Sequence, residues 1–206
     1  MTTPPSVLEQ TVHEKPTGEI TVRFENVSIA FEDKVVLDGI SFQLLHGETK
    51  AIFGVAGSGK STLLKLALGL LHPDSGRIFV LGEEVTAMSE DQLFDLRRRV
   101  GIVFQESALF DSLTVRENVA FRMYEEGQVS DEEIDERVRE ALSFVELEHT
   151  VDLYPSELSG GMRRRVSIAR TIITHPEVLL YDSPTGGLDP VTSNTIIELV
   201  VKQRDI

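Results

Sequence analysis

Eight residues restrict this chain more than any others: Gly54-Val55-Ala56-Gly57-Ser58-Gly59-Lys60-Ser61, followed by Thr62. The run ETKAIFG (48–54) precedes the turn and predicts a buried strand ending at Gly54. STLLKLALGLL (61–71) continues from it with leucines at helical spacing. Strand, glycine-rich turn and helix, in that order, are the setting that the pattern GxxxxGK[ST] requires. Glycines let successive backbone N–H groups curl around an anion, and the helix adds its positive N-terminal end. In such a cradle Lys60 reaches the outer phosphates of a nucleotide, and the Ser61 hydroxyl faces Mg²⁺. Four fixed positions arise by chance in about 1 chain in 100 of this length, and the strand–helix context lowers that further.

The apolar run Val178-Leu179-Leu180-Tyr181 ends in Asp182, which reads as a strand delivering one carboxylate to its tip. A phosphate loop of this kind needs an acid at a neighbouring strand tip to hold the Mg²⁺ shell. Many nucleotide hydrolases place a second carboxylate next, to handle the attacking water. Here the next residue is Ser183. A serine hydroxyl is neutral and a very weak base, so it can orient a water but not take its proton. The pattern therefore predicts tight nucleotide binding and slow turnover.

A chain of 206 residues suits one domain, or one domain with a subdomain. A hydrophobic fraction of 41% can fill a core, and no apolar run approaches bilayer-spanning length. The net charge of −14 argues against nucleic acid as a main ligand, because phosphate backbones demand clustered Lys and Arg. The absence of cysteine excludes disulfides and thiolate metal sites, and is compatible with the cytosol. Residues 1–19 are polar and proline-containing with no apolar leader core, which predicts a disordered lead-in and no export.

ITVRFENVSIAF (20–31), KVVLDGISFQLL (34–45), RIFVLG (77–82) and VGIVFQ (100–105) read as strands, and EDQLFDLRRR (90–99) as a helix. TVRENVAFRMYEE and DEEIDERVREALSFV follow as helices, the second with Ile134, Val138, Leu142 and Val145 on one face. SGGMRRRVSIARTII predicts a further helix, and another closes the chain from about residue 191. Arginines 163–165 read as a solvated face or as carboxylate partners. The class is α/β: a phosphate-loop core with an antiparallel β subdomain over 20–105, a helical insertion over 106–176, and a return to the core over 177–206.

Two more pieces complete a pattern. ELSGGMRRR (157–165) puts Ser159, Gly160 and Gly161 at the mouth of a helix, and GIVFQESALF (101–110) ends a core strand in Gln105. Phosphate loop, glutamine, LSGG, aspartate and a GGLDP loop carrying Asp189 occur in that order, and together they resemble the ATP-binding-cassette (ABC) ATPases. The resemblance runs from about residue 20 to 206. It implies a P-loop NTPase core that binds ATP and Mg²⁺ between two copies of the chain. Ser159, Gly160 and Gly161 of one copy would cover the γ-phosphate held by Lys60 of the other. It also implies that Gly54 to Thr62 hold the phosphates, that Ser61, Gln105 and Asp182 hold the metal, and that Lys60, Gln105 and Ser183 surround the reacting centre. Phe31 corresponds to an aromatic that stacks on adenine, Gln105 to a residue that moves with a membrane partner, and Asp189 to a loop that signals between sites. From the residues alone, Phe31 also reads as a core phenylalanine, Gln105 as an ordinary strand-end glutamine and Asp189 as a turn-initiating Asp-Pro. The partners implied are an integral-membrane permease and a second copy, and the place implied is the cytoplasm, peripheral on the inner face of the cell membrane.

The chain departs from that family at three points. Met162 replaces the glutamine of LSGGQ. LSGGMRRR, FQESALFDSLTVRENVAF and DPVTS together resemble the ATPase subunits of bacterial lipid transporters, the Mla and Mce-associated group. Ser183 stands where the family has glutamate. Family members also continue through a strand ending in a histidine that contacts the γ-phosphate, whereas no histidine follows position 175 here, which reads as a truncated C-terminal part. The function implied is an ATPase subunit powering phospholipid movement through a permease. Two rivals are a degenerate cassette that regulates its partner with little hydrolysis, and a soluble cassette of repair or translation. The second rival usually carries two cassettes or long coiled-coil insertions, and this chain has neither.

Overall fold

The computed structural model describes residues 17–32, 34–127 and 129–203; most of the expected lead-in, residues 1–16, lies outside them. Strand β1 (Thr17–Phe31) starts three residues before the expected Ile20 and pairs antiparallel with β2 (Lys34–His46). Its inward positions change parity, from Val22 and Phe24 to Val27 and Ile29. A change of parity needs an inserted residue. The register shift between Phe24 and Val27, with Asn26 at φ 50°, supplies it. Strand β3 (Ser75–Val80) crosses this bulge at Gly76, where a Cβ would lie 2.5 Å from the Asn26 carbonyl oxygen. With β4 (Glu83–Glu84) the antiparallel sheet has the order β2-β1-β3-β4.

Helix α1 (Lys60–Ala67) buries Leu63, Leu66 and Ala67 in the core this sheet shares with α2 (Glu90–Arg99). Helix α2 is terminated by its own chemistry. A Ser89–Gln92 capping box opens it, Glu90 and Asp91 sit in the first turn, and Arg97, Arg98 and Arg99 meet the negative end of the dipole.

A second sheet is parallel: β5 (Val100–Val103) beside β6 (Val178–Tyr181). Between these strands come α3 (Val115–Glu126), α4 (Asp131–Phe144) and α5 (Gly160–Ile172), around a core that includes Val119, Ile134, Leu142, Val166 and Ile168. The closing α6 (Pro190–Gln203) adds Ile196 and Leu199 to the same core. Helix α5 lies against β5. A Cβ on Gly101 would approach Thr171 Cγ2 to 2.6 Å, and Thr171 Oγ1 donates to the Ile102 carbonyl at 3.3 Å. The fold is α/β, with an antiparallel β subdomain and a helical group inserted between the two parallel strands.

One expected element does not form. Residues 48–55 are not a strand, and Phe53 and Val55 are 92% and 81% exposed. Their composition suits a strand, but a strand also needs a neighbour to take its backbone N–H and C=O groups. Among the described residues β6 pairs with β5 alone, and no strand takes up the backbone groups of 48–55. No helix among the described residues is long and apolar enough to cross a membrane.

Candidate nucleotide-binding site

The glycine-rich turn is held by conformations that favour glycine. Gly57 and Gly59 have φ of 77° and 87°, and Ser58 N–H donates to the Val55 carbonyl at 3.2 Å. Gly59 is the N-cap of α1, and a Cβ there would sit 2.8 Å from Leu37 Cδ2, so the start of β2 walls the turn closely. The Lys60 ammonium folds back and donates to the Gly54 and Val55 carbonyls, both at 2.8 Å. These are neutral acceptors. An anionic phosphate competes well against them, because charge-assisted hydrogen bonds are the stronger kind.

Asp182 reaches the same place from the far end of the chain. Its N–H donates to the Val103 carbonyl at 2.9 Å, which extends the β5–β6 pairing by one residue and fixes the strand tip. Its Oδ1 then accepts from Ser61 Oγ at 2.8 Å, across 121 residues of sequence. A hydroxyl and a carboxylate at the lip of a phosphate cradle are hard oxygen donors, which suits Mg²⁺.

Gln105 and Ser183 sit just beyond the adjacent tips of β5 and β6. A Cβ on Gly186 would lie 3.5 Å from Gln105 Cδ and Nε2, so that side chain covers the turn after Ser183. Ser183 itself has φ of 49°, and its carbonyl accepts from Gly186 N–H at 2.9 Å. Phe31 ends β1 opposite Lys34 and is 44% exposed, so its ring is not packed in the core.

Ser159, Gly160 and Gly161 form the mouth of α5. Ser159 Oγ caps it by accepting from Met162 N–H at 3.2 Å. A Cβ on Gly160 would reach Leu188 Cδ2 at 3.9 Å, and one on Gly161 would meet Thr192 Cγ2 at 2.5 Å, so this mouth packs on the start of α6. Asp189 caps α6. Its carboxylate accepts from Thr192 Oγ1 at 2.5 Å and from the Thr192 and Val191 N–H groups, both at 3.0 Å. Those donors, the Thr192 hydroxyl first, hold the Asp189 carboxyl below its ordinary range. Within a single chain its geometry is that of a helix cap.

Arginines 163–165 divide: Arg163 is exposed, Arg165 half-buried and Arg164 buried, and none has a carboxylate partner among the described residues. Each donates to a backbone carbonyl: Arg163 to Leu158 at 2.9 Å, Arg164 to Phe104 at 2.8 Å and Arg165 to Val145 at 2.9 Å. Arg164 is 4% exposed. Successive helical residues point about 100° apart, so Arg164 can face inward while Arg163 stays exposed.

Comparison with known proteins decides the family. Residues 37–186 match the ABC transporter family. The chain belongs to that family. It is 43% identical over 191 residues to the protein TRIGALACTOSYLDIACYLGLYCEROL 3, chloroplastic, of Arabidopsis thaliana, covering 89% of this chain and 55% of that one. It is 41% identical over 181 residues to the methionine import ATP-binding protein MetN of Carboxydothermus hydrogenoformans, covering 86% and 53%. The chain thus spans about half the length of these curated relatives. Among solved structures it resembles the ATP-binding cassette MJ0796, a dimer in a post-hydrolysis state bound to ADP and Pi, with 33% identity and a TM-score of 0.81 over 90% of this chain and 83% of that one. It also resembles cbiO1 of Clostridium perfringens, part of the ABC transporter complex cbiONQ, with 34% identity and a TM-score of 0.83 over 91% and 74%.

The contact between the cassette's LSGG mouth and α6 makes a stability prediction. Thr192 cannot turn its methyl away from position 161 without releasing Asp189, so Gly161→Ala should destabilise by about 1–3 kcal/mol. Thr192→Ser removes that methyl and keeps the hydroxyl, and the double variant should recover most of the loss in denaturant unfolding. Equal destabilisation with and without Thr192→Ser contradicts the contact.

Proposed function

We propose that this chain is the ATP-binding subunit of an ABC transporter, taking MgATP on Gly54 to Thr62 and working against a membrane permease. The observation that carries this reading is the 2.8 Å hydrogen bond from Ser61 to Asp182 beside the folded-back Lys60. The backbone of 54–62 and Lys60 would hold the phosphates, Ser61, Asp182 and Gln105 the Mg²⁺, and the exposed ring of Phe31 the adenine. Bound Mg²⁺ supplies positive charge against the phosphate oxygens. The rest falls to the chain: Lys60 neutralises, the loop N–H groups orient, and Gln105 positions a water. Ser159, Gly160 and Gly161 of a second copy would close the site. An α5 mouth capped by Ser159, and the dimeric form of the solved relative, support that closure. With a permease as partner, the subunit sits peripherally on the cytoplasmic face of the membrane. Phospholipid is the cargo that LSGGMRRR and the neighbouring stretches favour. The Arabidopsis relative is named for a galactolipid, whereas other relatives are named for methionine import.

Titration of the full-length protein with MgATP tests the binding reading. Lys60→Ala should weaken binding by about 1.5–3 kcal/mol, roughly ten- to a hundredfold. Unchanged affinity would show that the cradle is not the nucleotide site.

The second reading, a cassette that binds and regulates with little turnover, is favoured by Ser183. No carboxylate occupies the position after Asp182. In the full-length protein with its permease, Ser183→Glu should raise phosphate release by roughly 10²–10⁴. Brisk release with serine and no gain with glutamate would overturn the slow-turnover account.

A further inference from the structure

Arg164 is the buried charge that the reading above does not use. Among the described residues its guanidinium makes one hydrogen bond, from an Nη to the Phe104 carbonyl at 2.8 Å, and its Nε is buried without a partner. Burial of a cation with so few acceptors is costly unless the structure needs it there. Desolvation pulls its pKa down, and the negative charges of Glu106 and Asp182 oppose that pull. It therefore lies within electrostatic reach of both the glutamine loop and the candidate metal carboxylate.

The loop it grips has little hold of its own. Ser107 and Ala108 are consecutive residues at φ 61° and 47°, a conformation that L side chains disfavour. The Phe104 carbonyl also accepts from Ser107 N–H at 3.1 Å, and Ala108 N–H closes a tight turn on the Glu106 carbonyl at 2.7 Å. The remaining outside support comes from α5 as well: Arg170 donates to the Ala108 and Ser107 carbonyls at 2.7 and 3.0 Å. The carbonyl that Arg164 holds belongs to the peptide bond joining Phe104 to Gln105.

We propose that Arg164 is a positioning residue for Gln105: by gripping the Phe104–Gln105 peptide it keeps Gln105 over the Ser183–Gly186 turn and ties it to the LSGG end of α5. Arg164 lies one helical turn from Gly160 on the same helix. A shift of the helix mouth, by an anion or by a second copy, is thereby delivered to Gln105 as a pull on its own backbone. The nucleotide-dependent part rests on the MgATP reading above; the contact itself does not.

Hydrogen exchange on the full-length protein with its permease tests this. In Arg164→Met without nucleotide, the amides of Ser107 and Ala108 should exchange about ten- to a hundredfold faster, the loss expected for one charge-assisted hydrogen bond. Amides within α5 should stay within about twofold of the parent, as local opening allows. Arg164→Lys, which keeps the charge but not the fork, should fall between. With MgATP, the variants should keep protection at 57–62 and lose the added protection at 105–108. Unchanged exchange at 107–108, or acceleration spread equally through α5, overturns the proposal. If Arg164→Met does not fold, Arg164→Lys decides by the same two criteria. A parent with no MgATP protection at 57–62 overturns the nucleotide reading and the coupling, while the comparison without nucleotide still decides whether Arg164 holds the loop.

Discussion

The hydrogen bond from the Ser61 hydroxyl to the Asp182 carboxylate is where the two ends of this fold meet. It requires α1 to begin directly after the glycine turn, which left-handed Gly59 arranges. It also requires β6 to lie in one register beside β5, which the Asp182 N–H to Val103 carbonyl bond extends to the strand tip. A slip of one residue would turn the carboxylate to the opposite face of the sheet. The helical group of α3, α4 and α5 is what brings the chain back in that register, and Thr171 against Gly101 and Ile102 shows where it bears on β5.

Much of this was legible in the residues. The glycine turn, the strand ending in Asp182 and the apolar face of α4 are local patterns, and the structure adds capping boxes, Ser89 with Gln92 and Thr114 with Glu117, that fix where α2 and α3 begin. Such signals act over a few positions, and the fold obeys them. What failed depends on distant partners. ETKAIFG has a strand's composition, yet 48–55 stays unpaired because pairing is a property of two segments. Arg164 looked solvated because nothing near it in sequence reveals that the Phe104 carbonyl lies under it.

The site divides its electrostatic work unevenly. The chain carries a net charge of −14, yet the arginines around α5 are spent on backbone carbonyls and not on carboxylates. A buried cation on a carbonyl dipole fixes geometry without cancelling its charge, so Arg164 can tether a loop and still bias the field at Asp182. Ser183 follows the same economy in the opposite sense: a neutral residue at a strained turn leaves the phosphate end of the site less negative than a glutamate would.

The most direct test of the account is a double-mutant cycle on Ser61 and Asp182, read as MgATP affinity of the full-length protein across a Mg²⁺ titration. If the two side chains share one cation, Ser61→Ala and Asp182→Asn should each weaken the Mg²⁺-dependent part of binding. Their effects should then fall short of additivity by about 0.5–3 kcal/mol. Strictly additive losses with the Mg²⁺ dependence intact would contradict a shared site.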